Sequence, residues 1–174
     1  MPEAIGYAVY ACLIGAGATA IVDLWAMARQ RCWGIPALDY RMVGRWFAYM
    51  PKGVFRHRPI SASPPMHGER LIGWVAHYLT GIAFAGVLLA IWGLDGACHP
   101  SMVPALIVGI GSVAAPFLLM QPGMGAGIAA SRTPRPNVAR FHSLVTHAVF
   151  GLGLYASGLA SHWLGLFGWW PFCH

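Results

Sequence analysis

The chain has 174 residues, of which 57% are hydrophobic and only 9% charged. A soluble domain carries about 25% charged residues, so a surface wetted all round is excluded and a lipid-facing one is expected. The net charge is +6, but all eleven Lys and Arg fall within residues 29–70 and 132–140, beside apolar stretches, which argues against a nucleic-acid surface.

Four apolar stretches are long enough to cross about 30 Å of hydrocarbon as helices. They cover residues 4–27, 71–93, 102–121 and 143–165. The predicted fold is an all-α membrane protein, one transmembrane domain over residues 1–174, with loops at 28–70 and 122–142 on one side. Glu3 is the only early charge, which argues against a cleavable signal peptide. Pro104 falls in the first turn of the third span, where a missing N–H is harmless. Pro116 falls inside that span and predicts a kink, and Gln121, Pro122 and Gly123 end it.

The connections alternate in charge. Residues 29–70 hold Arg29, Arg31, Arg41, Arg45, Lys52, Arg56, Arg58 and Arg70, and the next basic loop holds Arg132, Arg135 and Arg140. Residues 94–101 and the tail after Gly165 hold no Lys or Arg. The positive-inside rule therefore predicts a bacterial inner-membrane protein with both basic loops cytoplasmic and both termini periplasmic. Trp92, Trp163, Trp169 and Trp170 then mark the outer interface. In the first loop Leu38, Met42, Trp46 and Tyr49 form an apolar stripe flanked by Arg41 and Arg45. That pattern predicts a short helix on the inner leaflet with its arginines among anionic phospholipid headgroups, or a plain basic anchor. PISASPPMHGE, after it, predicts irregular chain.

An internal repeat is visible. His77 follows Arg70 by seven residues and precedes Gly81 by four; His147 stands in the same relation to Arg140 and Gly151. Ala11, Gly15, Gly17 and Ala20 likewise align with Ala105, Gly109, Gly111 and Ala114. The spacing suggests two tandem hairpins related by an axis along the membrane normal, although Gly and Ala are common in membrane helices anyway. Gly15, Gly86, Gly111 and Gly158 are expected to allow close backbone approach.

Asp23, His77 and His147 are the principal candidates for chemistry. Each lies about ten ångströms into the membrane, counted from the arginine bounding its helix at about 1.5 Å per residue. Ionisable groups at that depth face a bundle interior or a wet cavity. They can serve as a ligand- or proton-binding site, as a polar cluster that only locks packing, or, through the two histidines, as axial ligands of a b-type haem. Gly123, Gly125 and Gly127, with Arg132 and Arg135 close behind, form a candidate anion-binding nest or a plain re-entrant turn. On the opposite side Cys98, His99, Cys173 and His174 are candidates for a soft-metal site, or Cys98 and Cys173 for a disulfide. No catalytic residue emerges: no GxSxG is present.

LDYRMVGRWFAYMPKGVFRH, the GER before the second span, and MQPGMGAGIAASRTPRP resemble segments of the bacterial membrane family known as domain of unknown function 2938. The resemblance covers nearly the whole chain and stops before GLFGWWPFCH. It implies a four-helix inner-membrane protein and supplies no activity, ligand or catalytic residue. The leading expectation is a protein that binds or passes a small solute or protons at Asp23, His77 and His147, acting as an oligomer because four helices make a thin wall. The alternatives are a haem- or metal-binding accessory subunit and a structural partner of a larger membrane complex.

Overall fold

The computed structural model describes residues 3–93 and 98–166. Every regular element among them is helical. Helix α1 is Glu3–Trp33, α2 is Tyr40–Tyr49 and α3 is Glu69–Trp92. Helix α4 is Met102–Gly111, α5 is Gln121–Met124 and α6 is Pro136–Trp163. Four stretches are long and apolar enough to cross a membrane: Ala4–Trp33, Glu69–Trp92, Met102–Met124 and Pro136–Trp163.

The spans start and stop where hydropathy alone does not place them. Helix α1 runs on to Trp33, through Arg29 and Arg31, and α6 begins at Pro136 rather than Ser143. Helical backbone satisfies itself in water as well as in lipid, so α1, about 46 Å long at 1.5 Å per residue, overshoots the hydrocarbon. Pro104 sits buried in the first turn of α4. Pro116 bends the third span by opening it: Ser112 and Val113 form a turn, Pro116–Met120 is a π-turn, and α5 resumes at Gln121. A π-turn absorbs the N–H that proline cannot supply.

Packing runs α2–α3–α1–α6–α4, with α1 and α6 as the central pair. Each of these contacts is made at a small residue. A Cβ added to Gly15 of α1 would lie 2.5 Å from the Ile82 Cα and 2.9 Å from the Gly81 carbonyl of α3. On Gly109 of α4 it would collide with the backbone of Gly151 on α6. On Gly153 of α6 it would lie 3.0 Å from the Ala18 Cα of α1. Gly44 of α2 and Gly73 of α3 are closer still, each against the other helix's backbone at Glu69 and Tyr40. Between these crossings Ile14, Ala18, Ala85, Phe150 and Leu154 build the apolar core. Three of the four glycines expected to do this work do not: Gly86 and Gly111 face open space, and Gly158 makes only ordinary contacts.

The two basic loops meet at one end of the bundle. The His57 N–H donates to the Gly123 carbonyl at 2.8 Å, and the Trp46 indole packs against Gly123. Trp46 Nε1 donates to the Phe55 carbonyl, and the Tyr49 hydroxyl to that of Pro64. The stripe therefore spends Trp46 and Tyr49 on protein, and Leu38 remains exposed. Arg45 also differs from expectation. It is only 6% exposed, holds Glu69 through Nε and Nη2 at 2.8 and 2.9 Å, and gives Nη1 to the Ser63 carbonyl. The guanidinium meets this partly buried carboxylate in a two-pronged pair, and removing either partner leaves the other without its hydrogen bonds. Arg41 stays exposed, paired with the α2 N-cap Asp39.

Gly15→Ala and Gly109→Ala should each lower stability by about 1–3 kcal/mol, because neither collision is with a flexible side chain. Gly86→Ala should be neutral or gain up to about 1 kcal/mol. Thermal unfolding of the purified variants in detergent reads all three; equal behaviour of Gly15 and Gly86 would remove the role given to the crossings.

Burial pushes the His57 imidazole below its ordinary pKa, with Nδ1 2.7 Å from the Ser63 hydroxyl. The depressed value means that this group's stabilisation is complete above the unfolded pKa, about 6.5, and is lost as pH falls through the folded value. Acidification should therefore loosen the loop cap in the parent protein more than in His57→Asn. Proteolysis of the 50–68 segment at a series of pH values checks this, and the same acid dependence in both proteins would count against it.

Candidate functional site

Asp23 lies in α1 between the Gly15 crossing and the end of the helix at Trp33, and His77 lies in α3, one turn from Gly81. The α1–α3 crossing thus sets both side chains on facing surfaces. His77 Nε2 lies 3.0 Å from Asp23 Oδ1. Tyr78, the next residue of α3, donates its hydroxyl to Asp23 Oδ2 at 3.1 Å. A fourth group comes from outside the spans: the Tyr40 hydroxyl, at the first residue of α2, lies 2.9 Å from His77 Nε2 and donates to Asp23 Oδ1 at 3.5 Å. The Tyr40 ring stacks on the imidazole at 4.2 Å, with Trp74 behind it at 4.7 Å.

Three polar atoms from three helices therefore form a triangle: His77 Nε2, Asp23 Oδ1 and Tyr40 Oη. At 3.0 Å a proton lies between Nε2 and Oδ1, supplied by the Nε2–H tautomer of the imidazole or by a protonated Asp23. The pair is thus joined by one hydrogen bond that either partner's proton can make. The Asp23 and His77 side chains are 16% and 17% exposed, so the cluster is sheltered but not sealed. Tyr40, outside the spans, is pushed above the ordinary tyrosine range by burial and by the adjacent Asp23 carboxylate, so it keeps its own proton.

His147 is not part of this cluster. Its Nδ1 lies 2.7 Å from the Ser112 hydroxyl, which donates to the Gly109 carbonyl at 2.6 Å. The Ser112 hydroxyl thus lies between the Gly109 carbonyl and Nδ1 of His147. Equal depth places His77 and His147 at one level but on different helix pairs, α1–α3 and α4–α6. The Nε2 atom of His77 is already engaged by Asp23 and Tyr40.

The glycines of the third-span turn serve packing. The space a Gly123 side chain would fill holds the Trp46 indole, and that of Gly125 holds the His57 carbonyl at 2.6 Å. Gly127 lies against the Ser131 side chain and Arg132. The N–H groups of Gly125 and Ala126 donate to the Pro122 and Gln121 carbonyls, so they point into the turn and not at a ligand. Gly125 and Gly127 have φ of 92° and 77°, which the tight turn requires. Among the described residues the Arg132 and Arg135 side chains make no hydrogen bond, whereas Arg140 donates Nε to the Ala129 carbonyl at 2.8 Å.

At the other end of the bundle Cys98 is buried and disulfide-bonded. Cys173 and His174, expected to join Cys98 and His99, lie outside the described residues, as do Trp169 and Trp170. Among the described residues no group of three or more His, Cys, Asp or Glu is placed to hold a metal ion. Cys12 and Cys32 are free thiols. A cavity of about 30 Å³, room for one water, lies between α1, α3, α4 and α6, lined by Tyr10, Trp92, Pro100 and Tyr155.

Sequence reasoning missed Tyr40, Tyr78 and Ser112. Tyr78 had a signal, since a residue adjacent to a buried histidine on a crossing helix shares its neighbourhood. Tyr40 had none, because it reaches the site from a loop helix whose seat depends on Gly44 meeting Gly73.

No curated protein and no solved structure matches the chain. Residues 12–161 match the model of a family described as Protein of unknown function (DUF2938), which starts within α1, ends within α6 and takes in Asp23, Tyr40, His77, Tyr78, Ser112 and His147. With most of its length matched, the chain belongs to the DUF2938 family.

Proposed function

We propose that this protein binds and releases protons at the Asp23–His77 pair, within the cytoplasmic half of a bacterial inner membrane. The observation that carries the reading is the 3.0 Å approach of His77 Nε2 to the Asp23 carboxylate inside spanning helices. An isolated carboxylate at membrane depth costs about 2.5–3.5 kcal/mol by insertion scales, and a partner that shares its proton lowers that cost. A cluster so closely filled by its own side chains suits a proton better than a solute. His147 with Ser112 is a second polar pair, held apart from the first.

Both basic loops are cytoplasmic in this proposal and both termini periplasmic, because every Lys and Arg belongs to one end of the bundle. Helix α2 rests at the inner leaflet with Arg41 toward anionic headgroups, its other faces taken by protein. The two hairpins are tandem repeats. Gly15 meets Gly81 in the first as Gly109 meets Gly151 in the second, at the positions the sequence alignment pairs. With a cavity of only about 30 Å³ inside the bundle, passage of anything larger than water would run between copies in an oligomer.

Orientation is tested with reporter fusions. Alkaline phosphatase joined after His174 should be active and a fluorescent protein there dark; the reverse result would overturn every side assignment. The proton reading is tested by infrared spectroscopy of protein in lipid nanodiscs. The parent should show a protonated-carboxyl band that responds to bulk pH, and Asp23→Asn should lack it while remaining folded. A parent protein with no titrating carboxyl band would end the proposal. In that case Asp23→Leu would still lower thermal stability, as a purely structural cluster requires.

A further inference from the structure

Of the four groups in the cluster, Asp23, His77 and Tyr78 belong to spanning helices and Tyr40 does not. Tyr40 is the first residue of α2, and its chain neighbours Asp39 and Arg41 form an exposed ion pair with side chains 43% and 58% exposed. Tyr40 therefore enters the cluster from the loop and not from a spanning helix, with its carbonyl packed against Gly73 and its hydroxyl near both atoms of the pair. Its position is set by rigid contacts. Gly44 lies against the Glu69 backbone, Gly73 against the Tyr40 carbonyl, and Arg45 is clamped to Glu69 at 2.8 and 2.9 Å. The ring is held between His77 and Trp74. Tyr78 also donates to Asp23, but from within α3, and reaches the other carboxylate oxygen.

We propose that Tyr40 is the relay through which protons pass between the loop-side water and the Asp23–His77 pair. The inference rests on the proton-binding reading above. In the uptake step a hydronium ion at the loop surface gives a proton to Tyr40 Oη and becomes water. The proton already on Oη moves to Asp23 Oδ1 in the same exchange, converting carboxylate to carboxylic acid. Tyr40 ends as it began, the pair has gained one proton, and release is the reverse. The titratable groups facing the relay are Asp23 from α1 and His77 and Tyr78 from α3. Tyr40 holds its own proton too tightly to ionise, so it passes protons on without becoming a stable tyrosinate.

The test separates equilibrium from rate. After a rapid pH jump, the Asp23 carboxyl band is followed by time-resolved infrared spectroscopy in nanodiscs. Tyr40→Phe keeps the ring stack and removes only the hydroxyl. It should leave the band titrating but slow its appearance by on the order of tenfold or more. Tyr78→Phe, the matched loss of the other hydroxyl, should respond at close to the parent rate. Equal rates in the parent and Tyr40→Phe, with the band still titrating, would overturn the relay and leave the proton site standing. A parent protein with no titrating band would overturn both. Should Tyr40→Phe fail to fold, 3-fluorotyrosine at position 40 preserves shape and hydrogen bonding while making the hydroxyl more acidic. The relay then predicts a faster response, and an unchanged rate refutes it.

Discussion

Backbone-to-backbone contact at glycine is the constraint on which the rest of this structure depends. Lipid tails are as apolar as leucine side chains, so burying apolar surface gives membrane helices little reason to associate. Close packing has to supply it. Here the α1–α3, α4–α6 and α2–α3 contacts are made where one helix presents a glycine to the other's main chain. The α1–α6 contact adds Gly153 against Ala18, and Gly17 against Ser157. With the axes drawn this close, side chains one and two turns away are forced into contact. The Asp23–His77 pair is one such enforced meeting, and the His147–Ser112 pair beside the Gly109–Gly151 crossing is another.

Helix α2 uses the same device at a different level. A ten-residue helix is too short to be stable alone, and α2 is stabilised by its fit onto α3. The Arg45–Glu69 pair locks that fit beside Gly44 and Gly73. Glu69 also caps the turn before α3, accepting the Met66 N–H at 3.0 Å, so one carboxylate fixes the loop, the start of α3 and the position of α2. Placement of the Tyr40 hydroxyl within an ångström-scale tolerance follows from these contacts rather than from anything in the membrane.

Much of this was legible in the sequence, for reasons that also mark where legibility ended. The four spans follow from apolar length, and Pro116 from the missing N–H, although the form of the break, a π-turn, required coordinates. Helix ends did not follow, because Arg29, Arg31 and Arg140 lie on helical backbone that continues past the hydrocarbon. Depth counting put Asp23 and His77 at one level, and they do meet. It could not separate His147, because depth carries no information about which helix faces which. Arg45 flanks the apolar stripe, as a headgroup contact would, and its partner Glu69, twenty-four positions further on, gives no local sign of pairing. Gly15 was singled out as a close-packing residue, but so were Gly86 and Gly111, which pack against nothing: composition reveals that small residues matter, not which ones.

The contact order of the crossings bears on how the chain is assembled. Gly15 with Gly81, Gly44 with Gly73 and Arg45 with Glu69 all lie within the first hairpin; Gly109 with Gly151 and Ser112 with His147 all lie within the second. Each half can complete its own closest contacts as it leaves the ribosome. What joins the halves is chiefly the α1–α6 face, Ala18 on Gly153 and Gly17 on Ser157. The closest contacts of the polypeptide are thus partitioned between its two halves, with the α1–α6 face as the main seam between them.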